Sequence, residues 1–261
     1  RHAGTRRRRG ERIPVYNTVE EATRARGPFD VSVTFVPGTA LKEAVFEALD
    51  AGIRWLVMPV ERVPLYDILE IVAYGKQKEA MLLGPGTIGI HSPGIGPLGW
   101  LGGSAENARN RFVPGHVGVI SRSGGQSGTL PWTIKVAGMG VSTVIHVGTE
   151  PVTGMSTAEI LPYFQEDDET HAVAMFGEIG GTQEEEAADI VKAGKFTKPL
   201  VVYVAGAWAP AGMRFSHASS IVERGKGSAK DKIAYLREAG IHVVDRPDEL
   251  ATTVKRLLKN S

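Results

Sequence analysis

One histidine and two glycine-rich turns carry the strongest chemical signal in this sequence. The turns are Ser121-Arg-Ser-Gly-Gly-Gln-Ser127 and Phe176-Gly-Glu-Ile-Gly-Gly181, and His217 follows them along the chain. An imidazole can accept a phosphoryl group, and a carboxylate such as that of Glu178 can orient the ring. The free N–H groups at the start of a helix can hold the negative charge. The order and spacing of these residues therefore suggest a covalent phosphate carrier.

Each of these features also has a simpler interpretation. A strand, a glycine turn and a helix form a common structural unit, and the first turn lacks the Gly-Lys-Ser/Thr that ends a Walker A motif. Glu178 alone would be an exposed turn acid, and the chain has seven histidines, most of which must be ordinary core or surface residues. The argument for a catalytic site rests on where these residues lie in the predicted fold. Ser123, Glu178 and His217 all follow predicted strands, and ligands of such sheets bind beyond the carboxyl ends of the strands.

The composition narrows the class of protein. With 261 residues, 42% of them apolar and 32 of them glycine, the chain is long enough for two α/β domains. A net charge of +1 favours neither a nucleic acid nor an acidic membrane as partner. Because cysteine is absent, disulfides and thiolate metal sites are excluded, and we expect no metal site in this chain. No uninterrupted apolar run reaches 18 residues. The expected location is the cytoplasm, or the mitochondrial matrix if the source is eukaryotic.

The elements that must position these residues follow a βαβ rhythm from Ile13 onward. We predict a Rossmann-like domain over residues 1–112 and a flavodoxin-like, doubly wound parallel sheet over residues 113–261. The glycine- and proline-rich stretch from Ile88 to Pro114 is interpreted as the connection between them. The arginine-rich start, Arg1 to Arg12, predicts either a solvated charge run or a flexible arm that meets phosphates.

The predicted boundaries can be stated for each domain. In the first domain the predicted strands are 31–36, 53–59 and 80–83, with helices at 41–51 and 65–75. In the second, the predicted strands are 117–121, 143–147, 172–176, 200–204 and 241–244, and the predicted helices are 127–137, 156–164, 183–192, 229–239 and 247–258. Thr182 and Glu185 have the spacing of a capping box. Glu184, Glu185 and Glu186 are interpreted as helix-start acids that complement the helix dipole.

Several motifs together resemble one known family. They are Ile13-Pro-Val-Tyr-Asn-Thr-Val-Glu-Glu-Ala22, Gly118-Val-Ile-Ser-Arg-Ser-Gly124, Gly177-Glu-Ile-Gly-Gly181 and Gly225-Lys-Gly-Ser228. In these segments the chain is similar to the α subunit of succinyl-CoA synthetase and to its relatives among ATP-citrate lyases and citryl-CoA or malyl-CoA synthetases. The family begins with a strand and a glycine-rich loop, so we expect the first βα unit of the Rossmann-like domain to be missing here.

The resemblance implies a mechanism and a partner. An ATP-grasp β subunit, which binds ATP or GTP with Mg²⁺, would phosphorylate His217. The phosphohistidine would then convert a carboxylic acid to an acyl phosphate, from which the coenzyme A thiol would form the thioester. Glu178 would orient the imidazole. The assembly would be a heterodimer or a heterotetramer, inactive without the partner.

The resemblance also assigns binding residues. Residues Ser123, Gly124, Gly125, Gln126 and Ser127 would hold the phosphate. Coenzyme A would lie along Val36, Pro37, Glu61, Pro64, Gly84, Pro85 and Thr87, with the arginines of residues 6–9 near its phosphates.

The acid substrate stays open between di- and tricarboxylic acids. The turn Ser121 to Ser127 is closer to the citrate-cleaving relatives than to the succinate form, and the family's Gly-His-Ala-Gly-Ala is Ser216-His-Ala-Ser-Ser220 here. A non-catalytic, coenzyme A-binding regulatory homologue is the main alternative function. A Rossmann-type dehydrogenase is disfavoured, because no strand is followed by Gly-x-Gly-x-x-Gly with an acid about 20 residues later.

Overall fold

A computed structural model describes residues 5–8, 11–208 and 228–259, with side chains from residue 13 onward. The elements of its first part, in chain order, are β1 (Thr5–Arg8), β2 (Glu11–Pro14), α1 (Val19–Arg26), β3 (Val31–Val33), α2 (Leu41–Asp50), β4 (Trp55–Val57), α3 (Leu65–Gln77) and β5 (Met81–Leu83). Among these residues, and in the rest of the described chain, no helix is both long enough and apolar enough to cross a membrane.

The first part forms the predicted parallel sheet. Strands β3, β4 and β5 lie side by side in that order, with Val31 opposite Trp55 and Trp55 opposite Met81. Helix α2 packs on this sheet through one apolar stripe at i, i+4, i+7 and i+8, as its pattern predicts. The buried members of that stripe are Leu41, Val45, Ala48 and Leu49.

Part of the arginine-rich start lies in two paired strands. Strand β1 pairs with β2 in an antiparallel ladder in which Thr5 lies opposite Pro14 and Arg8 opposite Glu11. Residues 5–8 and 11–14 are therefore strands, and the role of the charge run stays a prediction.

The second part contains the larger sheet. Its elements, in chain order, are β6 (Gly89–Ser92), β7 (Gly96–Gly99), α4 (Ala105–Arg111), β8 (Pro114–Ser121), α5 (Gly124–Val136), β9 (Val141–His146), α6 (Thr157–Glu166), β10 (Ala172–Glu178), α7 (Gln183–Lys192), β11 (Leu200–Ala205), α8 (Ala229–Glu238), β12 (His242–Val244) and α9 (Glu249–Lys259).

The topology of this sheet confirms the flavodoxin-like prediction. In the described residues the strand order is β12-β11-β10-β8-β9-β6-β7. The parallel strands β8 to β12 thus follow the order 2-1-3-4-5 of a doubly wound sheet. Every residue of the central strand β10 is buried, as expected for a strand covered by helices on both faces. The adjacent strands β8 and β11 end at Ser121 and Ala205, so the loops that follow them leave at the same edge as Glu178.

The stretch from Ile88 to Pro114, interpreted as the connection between domains, contains two strands and a helix. Strands β6 and β7 form a hairpin that adds to the larger sheet, because β6 pairs antiparallel with β9, and helix α4 follows. The hairpin needs glycine at its close approach. Gly89 has φ of +105°, and a Cβ there would lie 1.9 Å from the carbonyl oxygen of Leu98. The domain boundary at residue 112 stays a prediction, and strands that precede it belong to the sheet that follows it.

Candidate functional site

The turn between β8 and α5 presents the start of a helix at the carboxyl edge of the sheet. Ser123 is the N-cap residue, and its hydroxyl accepts a hydrogen bond from the Gln126 N–H at 3.5 Å. Within the described chain, no protein oxygen accepts a hydrogen bond from the Gly124 or Gly125 N–H group. These donors and the helix dipole favour an anion at this point.

Two hydroxyl groups of this turn are already engaged. The buried Ser127 hydroxyl donates to the Ser123 carbonyl at 2.9 Å. The Ser121 hydroxyl accepts a hydrogen bond from the Ser123 N–H at 3.0 Å and donates one to the Ser123 carbonyl at 2.8 Å. These bonds fix the shape of the turn, so Ser127 supports it from within rather than offering its hydroxyl to a ligand.

Glu178 ends β10 as a buried carboxylate with a cationic neighbour. Its Oε1 atom lies 3.4 Å from Nη2 of Arg122, and both side chains are less than one-tenth exposed. The Arg122 N–H donates to the Phe176 carbonyl at 3.0 Å, which fixes the arginine backbone beside β10. A buried carboxylate requires such compensation, because an isolated charge is costly to desolvate. The alternative of an exposed turn acid was wrong.

The backbone of Glu178 is held by a second buried ion pair. The Glu178 N–H donates to Oε1 of Glu184 at 3.0 Å, while Oε2 of Glu184 accepts from Nζ of Lys232 at 2.7 Å. Lys232 is fully buried and also contacts Oε2 of Glu185 at 2.6 Å and the Gly181 carbonyl at 3.1 Å. Burial lowers the pKa of Lys232, but Glu184 and Glu185 together raise it above 10.5.

These contacts correct two predictions about the start of α7. Thr182 makes no side-chain cap to the helix, and its hydroxyl donates instead to Glu186 at 2.6 Å, so the capping box with Glu185 does not form. Glu184 and Glu185 are more than dipole partners, because both bind Lys232. Because the buried ammonium group of Lys232 must be neutralised, Glu185 pairs with it instead of capping the helix.

His217 lies outside the described residues. The strand that leads toward it is described, and Ile179 donates its N–H to the carbonyl of Ala205 at the end of β11 with a distance of 3.0 Å. The turns after β8 and β10 and the beginning of the loop after β11 therefore meet at one edge of the sheet, as the sequence predicts.

The residues predicted to line coenzyme A fall into two groups. Pro37, Glu61 and Pro64 are exposed, whereas Val36 is half-buried, and all follow strands β3 or β4. A Cβ on Gly38 would lie 3.1 Å from the Glu61 carbonyl, so the turns after β3 and β4 pack against each other.

The second group, from Gly84 to Thr87, is buried against the loop that follows β9. The Gly84 carbonyl accepts from the Gly154 N–H at 2.8 Å. The Thr87 hydroxyl donates to the His146 carbonyl and accepts from the Gly89 N–H. Because the single O–H donor of this hydroxyl is used, Thr87 could accept a hydrogen bond from a ligand through its hydroxyl but could not donate one.

A cleft of about 580 Å³ joins the two parts of the site. Such a volume is within the range of ligand pockets. Glu61 lines it from the first sheet, and Ser123, Gly124 and Gly125 line it from the start of α5. Arg111 of α4 is exposed at its wall, with Nη1 at 3.5 Å from the position of a Cβ on Gly128. The remaining lining residues are Ile88, Trp100, Leu101, Gly102, Gly103, Asn107, Gly128, His146 and Thr149.

Comparison with known families matches both parts of the chain. Residues 114–257 match the succinyl-CoA ligase like flavodoxin domain, and residues 3–61 match the CoA binding domain. The alpha 1 subunit of an ADP-forming succinate–CoA ligase from Archaeoglobus fulgidus is 41% identical over 247 residues, which are 95% of this chain and 82% of the relative. The chain belongs to the succinate–CoA ligase alpha-subunit family.

Two further relatives show the breadth of this family. A subunit of the ADP-forming sulfoacetate–CoA ligase of Bilophila wadsworthia is 41% identical over 246 residues, covering 94% of this chain and 83% of the relative. The structure of ATP citrate lyase from Methanothrix soehngenii, in complex with citrate and coenzyme A, superposes with a TM-score of 0.92 at 27% identity. That match covers 99% of this chain but only 44% of the lyase chain.

Membership in this family defines the class of reaction. The chain is an alpha-type subunit of a nucleotide-dependent acid–CoA ligase, and coenzyme A is its cofactor. Its relatives are named as subunits, so the activity belongs to an assembly. The roles of the individual site residues stay predictions.

Arg122 and Lys232 were missed by the sequence analysis, because their partners are distant in the sequence. The position of Arg122 inside the first glycine turn was a usable signal for its role.

Proposed function

We propose that this chain carries a phosphoryl group on His217 from a nucleotide to a carboxylic acid during acyl-CoA synthesis. The observation that carries the proposal is the buried Arg122–Glu178 pair beside the start of α5. This pair supplies a carboxylate that can orient an imidazole and a cation that can face a phosphoryl group. Both lie at the edge of the sheet where the chain leaves β11 toward His217.

The chemistry requires one lone pair on the imidazole and one fixed N–H. The free ring nitrogen of His217 attacks the γ-phosphorus, and the nucleoside diphosphate leaves. Glu178 accepts the other ring N–H and stabilises the positive charge that develops on the ring. A carboxylate oxygen of the acid then takes the phosphoryl group to form an acyl phosphate. When bound, coenzyme A would supply the thiol that takes the acyl group from the acyl phosphate, and inorganic phosphate would leave.

The start of α5 serves the anionic intermediates of this sequence. The N–H groups of Gly124 and Gly125 and the Arg122 guanidinium complement the charge of a phosphoryl group. Ser123, Gln126 and Ser127 support this arrangement by shaping the first turn of the helix. Glycine at both positions lets a ligand approach the backbone closely.

The acid substrate carries a second anionic group in this proposal. The relatives are named for succinate and sulfoacetate, and the lyase structure contains citrate. Each of these acids has a further carboxylate or sulfonate beyond the carboxyl group that is activated. Arg111 stands at the wall of the cleft and has the charge to bind that group. We therefore place a di- or tricarboxylic acid, or a sulfonated acid, in this cleft.

Coenzyme A and a partner complete the enzyme. Coenzyme A would lie along the predicted residues that follow β3, β4 and β5, of which Glu61 is at the cleft. The predicted residues are Val36, Pro37, Glu61, Pro64, Gly84, Pro85 and Thr87. An ATP-grasp β subunit would supply ATP or GTP with Mg²⁺, in a heterodimer or heterotetramer.

The function is tested with the assembled enzyme. The chain would be produced together with its cognate β subunit and incubated with coenzyme A, Mg²⁺ and ATP or GTP. Succinate, sulfoacetate, malate and citrate would be supplied separately, with acetate as the monoanionic control. We expect acyl-CoA and nucleoside diphosphate in equal amounts with at least one polyanionic acid. Nucleotide hydrolysis without thioester formation for every acid would overturn the proposal.

A glycine at the start of α5 offers a substitution that separates stability from binding. Gly125 is exposed, and an added Cβ would meet nothing nearer than the Ser123 hydroxyl at 4.0 Å. Gly125→Ala is expected to leave the free energy of unfolding unchanged or raise it by up to about 1 kcal/mol. Its methyl group would obstruct anions at the helix start, so we expect the KM for the acid to rise at least threefold. An unchanged KM, or a KM that rises only together with a fall in Tm, would contradict this role.

A further inference from the structure

His146 joins the two halves of the cleft through its ring. It is buried at the end of β9, and its Nδ1 atom accepts a hydrogen bond from the Ile88 N–H at 2.8 Å. Its Nε2 atom lies 3.3 Å from the carbonyl oxygen of Arg122. Since Nδ1 accepts a hydrogen bond, it carries a lone pair, and the proton of the neutral ring is on Nε2. The ring therefore donates to the Arg122 carbonyl.

The backbone of His146 contributes to the same junction. Its carbonyl accepts the hydroxyl of Thr87, and Gly89 lies opposite His146 where β6 pairs with β9. The Cε1 atom of the ring would lie 3.6 Å from a Cβ on Gly124, so the imidazole forms the wall beside the first residue of α5.

We propose that His146 is a positioning residue that holds the Thr87–Ile88 segment and the Arg122 carbonyl at a fixed separation across the cleft. The inference rests on the proposed function, which places coenzyme A on one side of this junction and the phosphoryl group on the other. Both ring nitrogens of His146 are engaged, so it acts through its neighbours rather than on the substrate. One of its hydrogen bonds holds Ile88 and the other holds the Arg122 carbonyl, and each can be removed separately by substitution.

Two amide side chains separate these bonds. Asparagine can place its oxygen near the position of Nδ1 and keep the acceptor for Ile88, but it is too short to reach the Arg122 carbonyl. Glutamine can place its NH₂ group near the position of Nε2 and keep the donor to Arg122, while Ile88 loses its acceptor. His146→Phe keeps a ring of similar size and removes both bonds. A residue that serves only packing would tolerate phenylalanine best of the three.

The test compares kinetics of the complete enzyme with its β subunit. We expect His146→Gln to raise the KM for coenzyme A about tenfold with a smaller change in kcat, because the Ile88 N–H loses its partner. We expect His146→Asn to lower kcat about tenfold with a smaller change in that KM. His146→Phe should show both defects. His116→Asn, at the opposite edge of the sheet, is the matched control and should keep wild-type kinetics.

The outcomes are distinguishable from failure of the proposed function. A wild-type complex that forms no acyl-CoA would overturn the ligase chemistry and this inference with it. An active wild type with equal kinetics for His146→Asn and His146→Gln would overturn the inference alone. If His146→Phe fails to fold, the comparison of the two amide variants still decides, because each retains one of the two hydrogen bonds.

Discussion

Glu178→Gln is expected to lower the rate of phosphoryl transfer by about 10² to 10⁴. Glutamine is nearly the same size as glutamate but bears no charge, so it cannot stabilise a positive imidazole. Binding of coenzyme A should change little, because its predicted residues follow the strands of the smaller sheet, whereas Glu178 lies at the edge of the larger sheet. The measurement is the single-turnover rate of phosphoenzyme formation in the assembled complex, with acyl-CoA synthesis as the second readout.

The charge of Arg122 requires its own control, because Glu178→Gln removes the carboxylate that faces this buried guanidinium. The double variant Arg122→Gln with Glu178→Gln removes both charges and is expected to regain part of the lost stability without regaining activity. Glu186→Gln is the matched single control, since Glu186 is exposed in the first turn of α7. Recovery of activity in the double variant would contradict the orienting role of Glu178.

Lys232→Met is expected to lower the free energy of unfolding by about 3 to 5 kcal/mol. Methionine fills most of the volume of lysine but leaves the buried carboxylate of Glu184 without its cation. For a protein of this size the loss corresponds to a fall in Tm of roughly 6 to 20 °C. Because Glu184 also accepts the Glu178 N–H, we expect activity to fall together with stability.

The pH dependence of this ion pair follows from the raised pKa of Lys232. A lysine with a raised pKa stabilises the fold fully below its ordinary value of 10.5, and the contribution disappears as the pH rises through the folded-state pKa. The difference between wild type and Lys232→Met should therefore be constant from pH 7 to 9. Lys230→Met is the control on the same helix, because Lys230 is exposed. Equal unfolding midpoints for the two variants would refute the role of the pair.

The sequence predicts the fold where periodicity is strong. Strand β10 and helix α7 lie where the apolar pattern places them, and the alternation of strands and helices predicts the strand order of the doubly wound sheet. The β6–β7 hairpin was missed because glycine and proline interrupt the alternation that marks a strand. The pairing of β6 with β7 depends on close backbone approach at Gly89 and Gly99, and glycine there reads in the sequence as a turn signal.

Part of the candidate site could also be predicted from the sequence. Glycine turns after strands identify the edge that can bind an anion, and a carboxylate there requires a partner. Which partner it finds depends on contacts between segments that are far apart in the sequence. Lys232 is 48 residues from Glu184, and Ile88 is 58 residues from His146. Spacing along the chain therefore cannot reveal these pairs, and the three-dimensional arrangement is needed.

The most direct test of the phosphoryl carrier is the chemical identity of the labelled residue. The wild-type chain and His217→Asn would each be assembled with the β subunit and incubated with γ-³²P-labelled nucleotide and Mg²⁺ in the absence of acid and coenzyme A. We expect the wild type to acquire an acid-labile, base-stable label that maps to His217, and the variant to acquire none. Equal labelling of both chains, or a wild type that takes up no label, would contradict the central claim.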